Sequence, residues 1–517
     1  VVAADSFLIE QADNQDIPGR ITELTGITNK DLRLSAITAQ SVCQRILLEL
    51  TSDSELIGSV IHYAKFEKQF LEDLMSQWAG LDCLPKPIVC THQIAKRLYP
   101  DLPSKGIRAL HGHFGGSVMN FKRAACHAEA THLIWSKMVA ELACLGVLDF
   151  VQLLEWLESS PSRSVHTTAI QRHHVDAALR LALPDHPGVY RMLNSRGEVL
   201  YVGKATSLKA RVNSYFRGQT KKDLKTREML LQTWNIEVTE CSTALDAAIF
   251  ESDEIKRLEP PYNISLKKGR RQLLFYSKTF DSFHTDRDSV HSLGPFVGHR
   301  VFEPLYLLCQ GAGLNQFDGR IFLNMVSPED IASGYEVFCR RFRLDRSRPL
   351  TVRQLLALGA KIARGQKLLV NLSAQREIEP LTESILDEQV EAVSIADSEL
   401  DPEEEPTPED FADAIEKLLR HAAIAYSRAK ALLMLSDSRI AYSEKSQKYI
   451  LDVSGGEIGQ SVCALSESGY DALPERRDTP WSLEKYDRLR VLLSELIRMK
   501  NKGKRLYTTP DLWLFLR

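Results

Sequence analysis

Seven side chains between positions 188 and 263 have the types and order to do chemistry on a phosphate ester. Two short apolar runs carry Gly188-Val189-Tyr190 and Tyr201-Val202-Gly203, and Lys204 follows the second directly. Arg211 and Tyr215 stand four apart, which puts them on one face of a helix. Glu251 sits beside a stripe at helical spacing, formed by Leu245, Ala248, Ile249, Ser252 and Ile255. Asn263 follows the break at Pro260-Pro261. A carboxylate oxygen is a hard ligand suited to Mg²⁺ or Mn²⁺, a guanidinium offers paired donors to phosphate oxygens, and a phenol can exchange a proton. Taken singly, each has an ordinary explanation: tyrosine is common in strands, glycine ends them, and a glutamate on an amphipathic helix is usually solvated. The ordered set is what points to a site.

The elements that must position these residues are legible around them. His186–Leu193 and Glu198–Ala205 are strand-like runs separated by Asn194-Ser195-Arg196-Gly197, a hairpin signal. A helix is expected from an N-cap at Ser207 to Phe216, a third strand over Trp234–Cys241, and a second helix over Thr243–Leu258. Thr243 and Asp246 have capping-box-like spacing at its start, and the two prolines stop it.

Composition bounds the rest. At 517 residues the chain is too long for one core and should hold about three domains. No apolar stretch approaches the roughly 20 residues of a membrane span, and no signal-peptide pattern opens the chain. Nine cysteines are scattered from Cys43 to Cys463 without C-x-x-C spacing, a usage expected of reduced thiols in a bacterial-type cytoplasm rather than of a zinc or iron–sulfur site. The net charge is −3, unevenly spread: His186–Arg271 holds 16 Lys and Arg against 10 Asp and Glu, a net of +6, leaving −9 elsewhere. A basic patch in a mildly acidic chain is the footprint of a phosphate-binding surface. Lys209, Arg217, Lys221, Lys222, Lys267, Lys268 and Arg270 are the candidate DNA contacts.

The runs PGVYRMLNSRGEVLYVGKATSLKARVNSYF and TALDAAIFESDEIKRLEPPYNISL resemble the GIY-YIG nuclease domain of the UvrC excision-repair proteins and their shorter Cho homologues, over about 183–266. Ser252 departs from the asparagine usual after the glutamate. The resemblance implies a DNA endonuclease in which Tyr190, Tyr201, Lys204, Arg211, Tyr215, Glu251 and Asn263 form the catalytic site and Glu251 holds one divalent metal, Mg²⁺ or Mn²⁺. Of the tyrosines, Tyr201 is the preferred base, its proton loss eased by Lys204. Arg211 would bind the charge built on phosphate, Tyr190 and Tyr215 would orient water and phosphate, and Asn263 would brace the site. The implied act is a single incision 3′ of a lesion in damaged or distorted double-stranded DNA, with UvrA–UvrB as candidate partners.

The first 150 residues resemble the DnaQ-type proofreading exonucleases, an RNase H-like fold, through IPGRITELTGITNKDL, VIHYAKFEKQFLEDL, IVCTHQIAKRLYP and KRAACHAEATHLIW. That chemistry uses two metals held by four carboxylates, with a histidine base. The family's opening Asp-x-Glu would lie ahead of Val1. Glu67 stands where the second motif has aspartate, and Lys122 and His127 replace the base and the last carboxylate of the third. A charged lysine is no base, and imidazole is a poor Mg²⁺ ligand. A degenerate module is expected, with His111 or His113 as the conceivable substitute base.

The expected architecture is α/β and multidomain: the exonuclease-like domain over 1–150, a connector over 151–182, the GIY-YIG domain over 183–270, an α-rich region over 271–396, an acidic linker over 397–410 and a helical C-terminal region over 411–517. Helices are expected near 351–364, 410–434 and 482–499, with a short strand over 448–453. The last of these helices ends in RMKNKGKR, a basic patch read either as a phosphate contact or, the preferred reading, as cations that complement a helix C-terminus. Two rival readings stand beside the endonuclease: a 3′–5′ exonuclease with an accessory GIY-YIG unit, and a non-catalytic DNA-binding scaffold.

Overall fold

The computed structural model describes residues 6–10, 16–18, 21–22, 25–52, 54–118, 121–159, 173–217, 223–263, 272–297, 302–314, 316–322, 326–346, 348, 350–364, 406–464 and 479–512. They form two compact units: 1–240 with 258–265, and 241–257 with 266–517. The mixed α/β character expected from the sequence is present in both.

The first unit opens with parallel strand pairs bridged by helices. Strand β1 (Leu8–Ile9), helix α1 (Asn29–Ser35) and strand β2 (Ala36–Ile37) precede helix α2 (Ala39–Ser52). Strand β3 (Ser59–Ile61), helix α3 (Ala64–Ala79) and strand β4 (Ile88–Cys90) make a second such unit, and both strand pairs are parallel. Parallel pairing forces a crossover, which a helix supplies. Helices α4 (Thr91–Leu98), α5 (Ile107–His113), α6 (Ala124–Cys144) and α7 (Phe150–Glu158) close over a core of Val89, Ile94, Leu98, Leu110, Ile134 and Met138. Each such leucine or isoleucine contributes about 1.5–3 kcal/mol when fully buried. Helix α7, capped by Asp149, occupies the start of the expected connector, whose residues 160–172 lie outside the described set. Its apolar Phe150 and Leu153 pack into the preceding core.

Helix α8 (Ala177–Leu181) leads into a three-stranded antiparallel sheet. Strand β5 (Gly188–Leu193) is central, between β6 (Val199–Ala205) and, beyond helices α9 (Leu208–Tyr215) and α10 (Leu224–Gln232), β7 (Asn235–Glu240). The register sets Tyr190 opposite both Gly203 and Val238. Helix α10 was not foreseen; its apolar Met229, Leu230 and Leu231 are consecutive rather than spaced, because they serve two cores. Met229 and Leu230 pack under the sheet, and Leu231 enters the core of the preceding helices.

A polar clasp joins those helices to the sheet. His174 stacks on Trp234 with ring centroids 3.7 Å apart, and its Nε2 lies 3.0 Å from Nδ1 of His113. The Trp234 indole donates to the Gly112 carbonyl. Burial, then the neighbouring histidines, pushes His174 down to about 4. His62, buried and 2.9 Å from the Thr91 hydroxyl, is pushed to about 4 by burial and then by His92.

The second unit begins with helix α11 (Ala244–Leu258), followed by an antiparallel sheet with β8 (Leu273–Ser277) between β9 (Phe283–His284) and β10 (His291–Val297). Helices α12 (Glu303–Leu314), α13 (Pro328–Phe342) and α14 (Val352–Ala363) pack on the long α15 (Pro408–Leu435). The expected stripe Phe411, Ile415, Leu418 and Leu419 is buried there. Thr407 and Asp410 close a capping box, so the acidic run becomes helix N-terminus at its end; residues 365–405 are outside the described set. The C-terminal region is not simply helical. Strands β11 (Ser438–Glu444), β12 (Gln447–Ser454), β13 (Glu457–Ile458), β14 (Val462–Cys463) and, after helix α16 (Leu483–Asn501), β15 (Leu506–Thr509) form one sheet. Lys445 and Ser446, both at positive φ, make the two-residue turn joining β11 to β12. Neither is the glycine or asparagine that signals such a turn in sequence. All nine cysteines are free, and among the described residues no helix is long and apolar enough to cross a membrane.

His62 and His174, the histidines pushed furthest down, give the fold a pH signature. An unfolded histidine takes its proton near 6.5 and these do not until about 4, so between those values the unfolded chain binds more protons. Melting temperature should therefore fall as pH drops through that window, and His174→Phe should reduce the fall. A melting temperature flat from pH 7 to 4 contradicts this.

Candidate active site

Four of the expected residues meet on one face of the β5–β6 hairpin. The Tyr190 ring is fully buried and its hydroxyl lies 2.8 Å from that of Tyr215. Ring centroids are 6.1 Å apart for Tyr190–Tyr201, 6.0 Å for Tyr190–Tyr215 and 6.4 Å for Tyr201–Tyr215, a closed triangle. Arg211, one turn before Tyr215 on α9, donates to the Tyr215 hydroxyl at 3.3 Å and lies 5.1 Å from its ring centre. The helix starts where expected, with the Ser207 hydroxyl capping the Ala210 amide, and that cap fixes the phase that brings Arg211 and Tyr215 inward.

Gly203 is what allows the triangle. A Cβ there would overlap the Tyr190 hydroxyl and stand 2.8 Å from Cε1 of Tyr201. Strand alternation puts Tyr201 and Gly203 on the tyrosine face and the Cβ of Lys204 on the other, beside Val202. Lys204 is thus a strand residue, and Arg211 lies against the Tyr215 ring. Its charge opposes the shift at Tyr190, whose hydroxyl is pushed well above its ordinary range by burial, then by Tyr215 and Tyr201. Burial works against the Arg211 charge, and the three tyrosines outweigh it, raising its pKa. Tyr190 is therefore held in its protonated form.

Asn263 is buried and exchanges two hydrogen bonds with the Val202 backbone, accepting from its amide at 3.0 Å and donating to its carbonyl at 2.9 Å. It ties the strand bearing Tyr201 and Gly203 to the segment after α11. Glu251 is carried by the second unit, half-buried in the third turn of α11. Lys209 and Arg217 are exposed on and just beyond α9; Lys221, Lys222, Lys267, Lys268 and Arg270 lie outside the described residues.

In the N-terminal region, Glu67 is exposed on α3 and Lys122 is exposed ahead of α6. His127 is half-buried with Nε2 2.9 Å from the Phe121 carbonyl. His111 and His113 are buried, and His113 is engaged by His174.

Comparison with known proteins bears on this geometry. The UvrC-like GIY-YIG domain family matches residues 186–264, the segment that supplies the tyrosine triangle, Arg211, Glu251 and Asn263. The chain carries a UvrC-like GIY-YIG domain. UvrABC system protein C of Hahella chejuensis is 38% identical over 156 residues, covering 28% of this chain and 25% of that protein. A putative bifunctional exonuclease/endonuclease protein of Mycobacterium tuberculosis is 30% identical over 316 residues, 59% of this chain and 46% of that one. The chain thus spans about a quarter to a half of the length of these curated relatives. Among solved structures, the magnesium-bound GIY-YIG endonuclease domain of UvrC from Thermotoga maritima aligns with 29% identity and a TM-score of 0.16, over 17% of this chain and all of that one. The GIY-YIG domain was legible from sequence; the space made by Gly203 was not, although that residue closes the second triplet.

Gly203→Ala should displace both rings at a cost of about 1–3 kcal/mol, read as a lower urea midpoint at unchanged slope. A wild-type midpoint would show that the hairpin absorbs the methyl without moving Tyr190.

Proposed function

We propose that this chain is a metal-dependent endonuclease that hydrolyses phosphodiester bonds in damaged or distorted duplex DNA, in excision-type repair. The observation that carries the reading is the hydrogen-bonded Tyr190–Tyr215–Arg211 cluster inside the segment matched by the UvrC-like GIY-YIG family. Glu251 is the residue that would hold Mg²⁺ or Mn²⁺. The fit rests on its donor chemistry: a half-buried hard carboxylate, on a helix belonging to the same matched segment. When bound, the cation would polarise the scissile phosphate and take up charge at the leaving oxygen.

The chain's own groups supply the rest. Arg211 offers a forked pair of donors to the phosphate oxygens. Tyr190, held protonated by burial, shares a hydrogen bond with Tyr215 and so would orient the Tyr215 hydroxyl toward the phosphate. Tyr201 is the residue assigned to take the proton of the attacking water, with Arg211 as the cation that favours its ionised form. Lys204 would act at the edge of the site. Lys209 and Arg217 would meet the DNA backbone, where each phosphate contact adds salt dependence. By this reading the act is one incision, placed 3′ of the lesion and served by the Glu251 carboxylate of the matched segment, with UvrA–UvrB as candidate partners that deliver the site.

The N-terminal region is read as an RNase H-like module of DnaQ type in which Lys122 and His127 cannot serve as base and metal ligand. The relative whose name couples an exonuclease to an endonuclease, matching 59% of this chain, supports the pairing of modules. It is also the reason to keep a 3′–5′ exonuclease as the second reading.

The deciding assay uses end-labelled, lesion-bearing duplex with Mg²⁺ or Mn²⁺ and UvrA–UvrB. A discrete internal nick is expected, lost by at least 100-fold in Glu251→Ala and in Arg211→Ala, on the scale of removing one transition-state contact, about 10²–10³. Mononucleotide release surviving Glu251→Ala would establish the exonuclease reading instead, and binding without any cleavage would establish a scaffold.

A further inference from the structure

The helix that carries Glu251 is fastened along its length to the C-terminal sheet and to α16. At its start the Tyr442 hydroxyl donates to Thr243 Oγ1 at 3.0 Å, and the Glu444 carboxylate accepts from the Ala244 amide at 3.3 Å. In the first turn the Ser461 hydroxyl donates to Asp246 at 2.8 Å. Further on, Arg488 pairs with Asp253 at 3.5 Å, and Lys256 pairs with Asp487 at 3.2 Å. The last pair is nearly dry, with side chains 11% and 4% exposed. Between these ties Leu245 and Ile249 enter the core built on Leu432, Leu451, Leu489 and Leu493.

At about 100° per residue, positions 245, 246, 249, 253 and 256 fall within about 100° of one another. On the same wheel Glu251 lies roughly 180° from the centre of that arc. One face of α11 is therefore given to the C-terminal segment, and the opposite face carries the carboxylate. Apolar contacts such as those of Leu245 and Ile249 are non-directional and tolerate slip. Ion pairs at two successive turns, with a hydrogen-bonded cap at the other end, fix both the rotation and the axial position of the helix. A metal ligand needs that, since displacement beyond about 0.5 Å degrades a site.

We propose that Lys256–Asp487, seconded by Asp253–Arg488, is a positioning device for Glu251, so that the C-terminal region is a required part of the nuclease rather than an appendage. The inference rests on Glu251 being the metal ligand. None of these four residues touches substrate in this account; they act through the helix.

The test uses the full chain and titrates Mn²⁺ alone, reading free Mn²⁺ by electron paramagnetic resonance, with circular dichroism to monitor folding. Lys256→Met should raise the Mn²⁺ dissociation constant about 10-fold or more, the range seen when a ligand's supporting contacts are removed. Because that variant removes the cation paired with the buried Asp487, the double variant Lys256→Met/Asp487→Leu keeps the test decisive. An apolar pair of similar volume replaces a buried ion pair at little cost in stability, so the double variant should melt like the wild type and still bind Mn²⁺ about 10-fold more weakly. If it binds with wild-type affinity while Glu251→Gln has lost the ion, the pair is only packing and the proposal is overturned. If Glu251→Gln keeps wild-type affinity, Glu251 is not the ligand and the underlying reading fails first.

Discussion

A buried phenol must hydrogen-bond to something, and in this chain that requirement organises the site. Tyr190 lies on the central strand with no exposure, so its hydroxyl must find a partner inside. It finds Tyr215, which only the capped helix α9 can deliver, and it can reach Tyr215 only because the residue opposite it across the hairpin is glycine. Strand register, helix cap and helix phase must all be right for this one contact to form. Arg211 then arrives one turn from Tyr215 as a consequence, and its charge against three phenols sets the electrostatics of the face.

The small GIY-YIG domain does not stand alone in this chain. Its sheet is clasped to the preceding helices through His113, His174 and Trp234, and it shares Leu231 with their core. Its last helix shares a core with the C-terminal sheet through Leu245 and Ile249 and is pinned by ion pairs with α16. A small domain buries a smaller fraction of its surface, so contacts made beyond its own core count for more. Both neighbours therefore contribute to stability, and the hydrogen bonds and ion pairs supply the direction that the apolar contacts lack.

How much of this was legible in the sequence depended on how local the cause was. The strands around Tyr190 and Tyr201, the Ser207 cap and the helix over Ala244–Leu258 follow from alternation, a hydroxyl before a helix and a proline stop, all readable within a few residues. Helix α10 was invisible because its apolar residues are adjacent, shared between two cores. The C-terminal sheet was underestimated because the β11–β12 turn uses Lys445 and Ser446. Closeness in sequence also conceals that the Cβ atoms of Tyr201 and Lys204 stand on opposite faces of β6. The grip of Asp487 and Arg488 on α11 joins residues more than 200 positions apart and leaves no local trace.

The central claim is a division of labour among the tyrosines, with Tyr190 a buried, permanently protonated scaffold and Tyr201 the group that exchanges a proton. Single-turnover cleavage measured across pH for Tyr190→Phe and Tyr201→Phe separates these roles. The account predicts that Tyr201→Phe loses about 10²–10⁴ in rate and no longer speeds up as pH rises, while Tyr190→Phe is slower but keeps the wild-type pH dependence. A Tyr201→Phe enzyme with the wild-type rate and profile would contradict it.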